Sequence, residues 1–139
     1  MSDKNTTIEK LKNNIVEWNE WRDAYPEEKI NLHGAELHGA ELEDVNLTNV
    51  DLSAANLHGA HLKNAILSGA NLFEANLCQS ELDGADLKSA NLERADLTDA
   101  SLEGADLSEI NLERAILKGA NLRKTDISNA NISLSLIHI

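Results

Sequence analysis

Four of the five histidines, His33, His38, His58 and His61, fall within the first half of the chain, and the one cysteine, Cys78, follows them. Imidazole and thiolate are the common ligands of zinc and its neighbours, and a thiol beside an imidazole is the usual beginning of a covalent nucleophile. Against these stand 24 acidic residues, any pair of which could in principle share acid–base work. Residue type alone licenses none of this chemistry. The chain must first bring the groups together, so the elements that would position them decide the matter.

The positioning pattern is a period of five. Leu or Ile occupies every fifth residue from Leu32 to Ile132 without a slip, and two positions before each stands a small or short residue, usually Ala. The frames run from Ile30-Asn31-Leu32-His33-Gly34 to Ala130-Asn131-Ile132-Ser133-Leu134, which is 21 units in 105 residues. A helix would rotate successive Leu residues by about 140° and smear them around its circumference. A continuous strand would send alternate Leu residues to opposite faces, because side chains alternate with period 2. The chain must therefore turn once per unit. The small residue and the Leu share a buried side, and the residue between them points out, so each unit reads as a three-residue strand and a two-residue corner.

Corner chemistry agrees. All seven glycines occupy the second position after the Leu, and Asn49, Asn64 and Asn129 share it. That position is the third residue of a turn from Leu to the next small residue, where a type II turn needs positive φ. Units with Glu74, Arg94, Glu109 or Arg114 there are expected to turn differently, since long side chains are less at ease at positive φ. The only proline, Pro26, lies outside the array, where it deletes no ladder hydrogen bond.

Runs such as Ser68-Gly69-Ala70-Asn71-Leu72 and Glu103-Gly104-Ala105-Asp106-Leu107 resemble the pentapeptide-repeat family, and the likeness covers residues 30 to 134. The resemblance implies an all-β solenoid, a right-handed quadrilateral parallel β-helix with 20 residues per coil and the Leu and small residues inside. The core would then include the column Leu32, Leu52, Leu72, Leu92, Leu112 and Ile132. Stacked strands about 4.8 Å apart make the array a rod of roughly 25 Å.

Residues 20 apart then form outward columns. Asn31, Asp51, Asn71, Asn91, Asn111 and Asn131 make one, an amide ladder with a structural role. His38, His58 and Cys78 make another. Adjacent rungs could share an ion, but the first and third are about 9.6 Å apart, too far for metal–ligand bonds of roughly 2.0–2.3 Å. Solvated imidazoles are expected, with no metal and no cofactor. Cys78 reads as a bystander thiol, because nothing argues for a lowered pKa. Repeating surface acids are usually solvated and the interior positions leave no cavity, so no catalytic residue and no enzymatic activity are expected. Ile66, Phe73 and Ile116 are large apolar groups at outward positions on different faces, with Phe73 a conceivable interaction anchor.

Residues 1 to 29 are a different kind of sequence. Thr6 and Glu9 have capping-box spacing, and Ile8, Leu11, Ile15 and Trp18 follow at helical intervals, with Trp21 a turn later. One amphipathic helix is predicted over about residues 7 to 22. Its apolar stripe needs a surface and the first coil of a solenoid needs a lid, so residues 1–29 read as a capping helix and linker, and 30–139 as the β-helix. The Trp-containing string Trp18-Asn19-Glu20-Trp21-Arg22 also resembles the leader of bacterial members of the family. A partner-binding or membrane-surface helix is the alternative, weakened for membranes by mixed charge.

No apolar run is long enough to span a membrane, the polar start is not a signal peptide, and a single cysteine excludes an internal disulfide, so a cytoplasmic protein is expected. The repeats carry 17 acids and 7 bases, net −10, and the first 29 residues 7 acids and 5 bases, net −2. That sign disfavours direct nucleic-acid binding. A rigid, non-enzymatic scaffold that binds an unidentified protein is the leading expectation. The alternative is a DNA mimic acting on a DNA-binding enzyme such as gyrase, as the family's quinolone-resistance members imply. A third reading is a targeting fragment of a longer effector.

At the far end, Leu134, Leu136 and Ile139 occupy positions that are polar almost everywhere upstream. An uncapped coil leaves a template for another chain, so homodimerisation through the C-terminal coil is one expectation. The other is that the chain stops prematurely and Ser133 to Ile139 are not a native ending.

Overall fold

The computed structural model describes residues 3–137. Residues 31–136 form a four-sided solenoid in which every recorded bridge joins residues 20 apart in parallel, from Asn31–Asp51 to Ile116–Leu136. With one corner per five-residue unit, a 20-residue repeat has four sides. The sides are shorter than expected. Among the described residues each registers as a single bridged residue between corners, not as a three-residue strand, because the corners claim the residues on either flank.

Backbone pairing explains why the unit has five residues. Leu32 N–H donates to the Asp51 carbonyl at 2.7 Å, Asp51 N–H donates back to Ile30 at 3.0 Å, and Gly34 N–H donates to Ser53 at 2.8 Å. Ala35 N–H closes the corner on the Leu32 carbonyl at 3.0 Å. One amide per unit is left over, at the first residue after the Leu. In most units it is taken by the side chain two residues earlier: His33 N–H by Asn31 Oδ1 at 2.9 Å, Lys88 by Asp86 at 3.0 Å, Glu113 by Asn111 at 3.0 Å. The Asn and Asp residues of A-N-L and A-D-L are therefore not simply outward polar groups. Each bends back to satisfy the corner that follows it.

The corners do not differ as expected. All 21 units, seven with Gly and fourteen without, have positive φ at the same position, including Glu74 (57°), Arg94 (60°), Glu109 (58°) and Arg114 (59°). The residue before it is never positive, which makes these type II turns throughout. A left-handed conformation costs an L-residue about 1–2 kcal/mol, but ladder bonds on both sides leave the corner no alternative, and the long side chains point into solvent. Replacing such a residue with Gly should relieve the strain. Ala54→Gly, at φ 57°, should raise stability by about 0.5–1 kcal/mol in urea unfolding, against the usual effect of that substitution.

The interior is a stack of aliphatic side chains. Leu32, Leu52, Leu72 and Leu92 are fully buried and Leu112 nearly so. Ile132 departs from the expected core: it is 48% exposed, since no coil stacks beyond it among the described residues.

At the other end, two helices replace the single one expected: α1 (Lys4–Asn13) and α2 (Ile15–Ala24). Asn14, with extended φ of −155°, breaks the run and caps α2 by accepting from Glu17 N–H. Thr6 and Glu9 do not form the cap of α1. Asp3 does, its carboxylate accepting Thr6 N–H at 2.8 Å, which also holds the Asp3 carboxyl below its ordinary value. Leu11 and Trp18 are buried, and Ile8 and Ile15 pack partly buried against the same core, whereas Trp21 is 37% exposed. No helix is long and apolar enough to cross a membrane among the described residues.

The helices also bond to the first coil's edge, whose amides and carbonyls have no preceding coil to meet. Trp18 Nε1–H donates to the Asn46 carbonyl at 2.8 Å, and Asn19 Oδ1 accepts Asn46 N–H at 2.8 Å. Buried Arg22 donates to the Thr48 carbonyl at 2.9 Å and to Glu28 at 3.0 Å, and Lys4 Nζ reaches the His33 carbonyl at 2.6 Å. Side chains thus take the place of a missing rung.

Candidate functional site

Asx corners turn the outward faces into ordered columns. In the Asn column Asn91 Nδ2 donates to Asn71 Oδ1 at 3.3 Å, and Asn111 and Asn131 repeat the bond at 3.2 Å each. Each Oδ1 also takes its own corner amide, so both ends of the amide are committed to structure. The acidic residues in equivalent slots are similarly engaged. Asp96 accepts Thr98 N–H at 3.0 Å and the Thr98 hydroxyl at 2.6 Å; Asp106 and Asp126 hold Ser108 and Ser128 in the same way. Burial works against ionisation at Asp96, but the Thr98 bonds and a contact with Cys78 outweigh it and lower the carboxyl below its ordinary value. Its stabilisation is in place above the ordinary carboxylate range and is lost as pH falls through the lower folded value.

The thiol is half-buried against the next coil. Cys78 Sγ lies 3.9 Å from the Asp96 carbonyl, and burial, followed by the hydrogen bond and charge of Asp96, pushes its pKa up to about 11. A group ordinarily near 9 is then about a hundredfold less ionised at pH 8. Alkylation of Cys78 by iodoacetamide at pH 8 should be slower than that of an unstructured cysteine by about that factor, and the difference should vanish in denaturant.

Two of the four described histidines have polar partners. His33 Nδ1 sits 2.8 Å from Ser53 Oγ, which itself donates to Asp51 Oδ1 at 2.6 Å. This Ser/His/Asp string has the wrong order for a nucleophile: the hydroxyl proton is committed to the carboxylate, and the imidazole has no base's role toward it. His61 Nδ1 meets Glu81 Oε2 at 3.3 Å. The His38 and His58 rings stand next to each other on adjacent rungs, with centres 5.5 Å apart. No group of three or more metal-ligating side chains converges among the described residues.

Apolar groups concentrate at the last coil. Phe73 is half-buried and Ile66 and Ile116 lie on other faces, so these three form no patch. Ile127, Ile132, Leu134 and Leu136 are each about half or more exposed, and together they form an apolar end. Ile139 lies outside the described residues. At the opposite end a cleft of about 920 Å³ opens between the helices and the first coil, lined among others by Lys4, Lys10, Trp18, Trp21, Glu28 and Asn31. Its charges are mixed and its polar groups do not converge on a point.

Sequence reasoning passed over the Asx bonds, the structural device that repeats most. The signal is the prevalence of Asn and Asp at the middle position, 14 of the 21 units, the two residues whose side chains reach the amide two residues on.

The pentapeptide-repeats profile matches residues 30–69, 70–108 and 95–133. No curated protein searched matches the chain. Among solved structures, the chain is similar to HetL, a pentapeptide-repeat protein involved in heterocyst differentiation regulation in Nostoc sp. strain PCC 7120, with 35% identity and a TM-score of 0.65 over 78% of this chain and 60% of that one. It is similar to a pentapeptide-repeat protein of the Arabidopsis thaliana thylakoid lumen, with 30% identity and a TM-score of 0.54 over 76% of this chain and 63% of that one. A third likeness is to QnrB1, a plasmid-mediated fluoroquinolone resistance protein, with 25% identity and a TM-score of 0.52 over 77% of this chain and 55% of that one. The chain thus spans less than two thirds of the length of each of these relatives. With the period of five, the 20-residue bridging, the Asx corners and the matched profile in agreement, the chain belongs to the pentapeptide-repeat family.

Proposed function

We propose that the chain is a non-enzymatic, rigid module that binds a protein partner, working in the cytoplasm through side chains displayed on a right-handed rod that α1 and α2 cap. The observation that carries the reading is the division of labour within each unit. Leu and the small residue seal the interior, an Asn or Asp in 14 of the 21 units is spent on the corner, and the two residues after the Leu set their side chains at the surface in step with the coil. Surfaces built this way present chemistry at fixed intervals with little ordering cost at binding, which suits recognition. A pull-down with the full chain, compared at low and high salt, tests it. A specific protein partner is expected, and recovery of none at either salt would count against the reading.

DNA mimicry is the second reading, and net −10 on a rod of roughly 25 Å favours it, as does the likeness to a quinolone-resistance protein. A duplex of that length carries about 15 charges. Two features weigh against it. Arg94, Arg114, Arg123 and Lys124 interrupt the acids, and Asp96, Asp106 and Asp126 aim their carboxylates at their own corners. If the mimic reading holds, micromolar protein should inhibit gyrase supercoiling or protect it from quinolone; no effect in either assay retires it. A targeting role within a longer effector remains a third reading, tested by whether a fused reporter is carried to one site in the cell.

The apolar last coil is proposed to receive a second copy of the chain. Self-association should be seen by light scattering at high concentration, and Leu134→Lys combined with Leu136→Lys should reduce it by placing like charges on the contact. A strictly monomeric mass for the parent chain would remove this interface from consideration.

A further inference from the structure

His38 and His58 stand apart from the other two described histidines, which are paired with Ser53 and Glu81. Their rings lie on adjacent rungs of one column, with centres 5.5 Å apart and planes inclined at 59°. An ion held by imidazole nitrogens at about 2.0–2.1 Å lies about 3.2 Å from each ring centre, so two rings at a roughly tetrahedral angle stand about 5.2 Å apart. The observed spacing is within a few tenths of an ångström of that value.

The backbone beneath the pair is fixed. Gly39 N–H donates to the His58 carbonyl at 2.9 Å, Leu37 N–H to the Asn56 carbonyl at 2.8 Å, and Asn56 Oδ1 accepts His58 N–H at 3.1 Å. Asn56 Nδ2 is tied in turn to Glu36 on the first rung at 3.0 Å. Binding would require only side-chain rotation, and the negative net charge of the molecule favours a cation.

We propose that His38 and His58 form a two-histidine clip for a borderline divalent cation of the zinc, nickel and copper class, with water in the remaining positions. Imidazole suits these ions, whereas calcium and magnesium prefer oxygen ligands. Cys78, on the next rung, is not a ligand: its protonated thiol faces Asp96, and a rung separates it from His38. The length of the column argues against a three-residue site, but adjacent rungs could share an ion, and the clip uses that two-rung arrangement. Two rungs suffice. The bound ion would pin the first coil, which has no coil before it, to the second, and its open coordination positions would be available to a partner's side chain.

The test is a calorimetric titration of Zn²⁺ into the tag-free full chain, with hydrogen exchange followed at the Gly39 amide between the two rungs. One equivalent is expected, with slowed exchange at Gly39. His38→Gln and His58→Gln should each weaken binding at least tenfold, while His61→Gln, Cys78→Ser and His138→Gln should leave it unchanged. Circular dichroism of each variant confirms the fold, since both clip histidines are outward and their loss should not perturb it. Absence of Zn²⁺ uptake at millimolar concentration, uptake unaffected by either clip substitution, or uptake abolished by a control substitution would each overturn the assignment.

Discussion

Leu87→Lys should unfold the middle of the rod, while Lys88→Glu, one residue away, should leave it nearly unchanged. Leu87 is fully buried in a column of aliphatic side chains, and its neighbour faces water. The substitution removes about 1.5–3 kcal/mol of apolar burial and places an ammonium among methyl groups where no carboxylate can reach it, a further penalty of several kcal/mol. The sum is comparable to the whole stability of a domain of this size. Because each coil contacts only its neighbours, the damage should first appear as exchange-competent amides in the flanking coils and then as loss of the cooperative transition. Lys88→Glu changes an exposed charge and should alter the unfolding free energy read from urea titration by less than about 0.5 kcal/mol. Equal shifts for the two variants would refute the inward and outward assignment.

Arg22→Ala should detach the N-terminal helices while leaving the coils intact. Arg22 is 3% exposed, and its guanidinium donates to the carbonyls of Thr48 and Glu28. Burial lowers its pKa, with the charge of Glu28 opposing. Truncation leaves two carbonyls without their donor and empties the space of the side chain, a cost of about 2–4 kcal/mol. Both tryptophans lie on α2, and Trp18 Nε1 is bonded to Asn46, so fluorescence reports the event directly. A red shift of the tryptophan emission at temperatures where the far-ultraviolet signal of the coils persists is the expected result. An unshifted spectrum would mean that Trp18 and Asn19 hold the helices without Arg22.

How far the sequence could be read depends on whether a feature repeats. The buried column and the corner position recur 21 times, so their spacing alone excludes helix and continuous strand. The same repetition misled at Glu74, Arg94, Glu109 and Arg114. Their intrinsic preference points away from positive φ, but ladder bonds from neighbouring coils override it, and such a constraint has no signature within a single unit. The helices occur once and were legible only in outline. Asn14 is an unremarkable residue in a helical pattern until its side chain is seen capping α2, and nothing about Arg22 announces that its guanidinium substitutes for a rung. Candidate sites depend on two side chains meeting across the column, as His38 and His58 do, and the sequence supplies only their register.

The one-corner-per-unit geometry has a consequence for how this chain can change length. Gain or loss of five residues keeps every Leu inside but swings all that follows by a quarter turn about the rod axis, so that a different side of the downstream coils lies above any given upstream face. Gain or loss of twenty restores the alignment and only shifts the rungs by one. A single-residue change satisfies neither condition and drives the aliphatic column into water. The rod behaves like an indexed shaft with four stops per revolution, and a five-residue insertion between two halves of a binding face would uncouple them as fully as deleting one half.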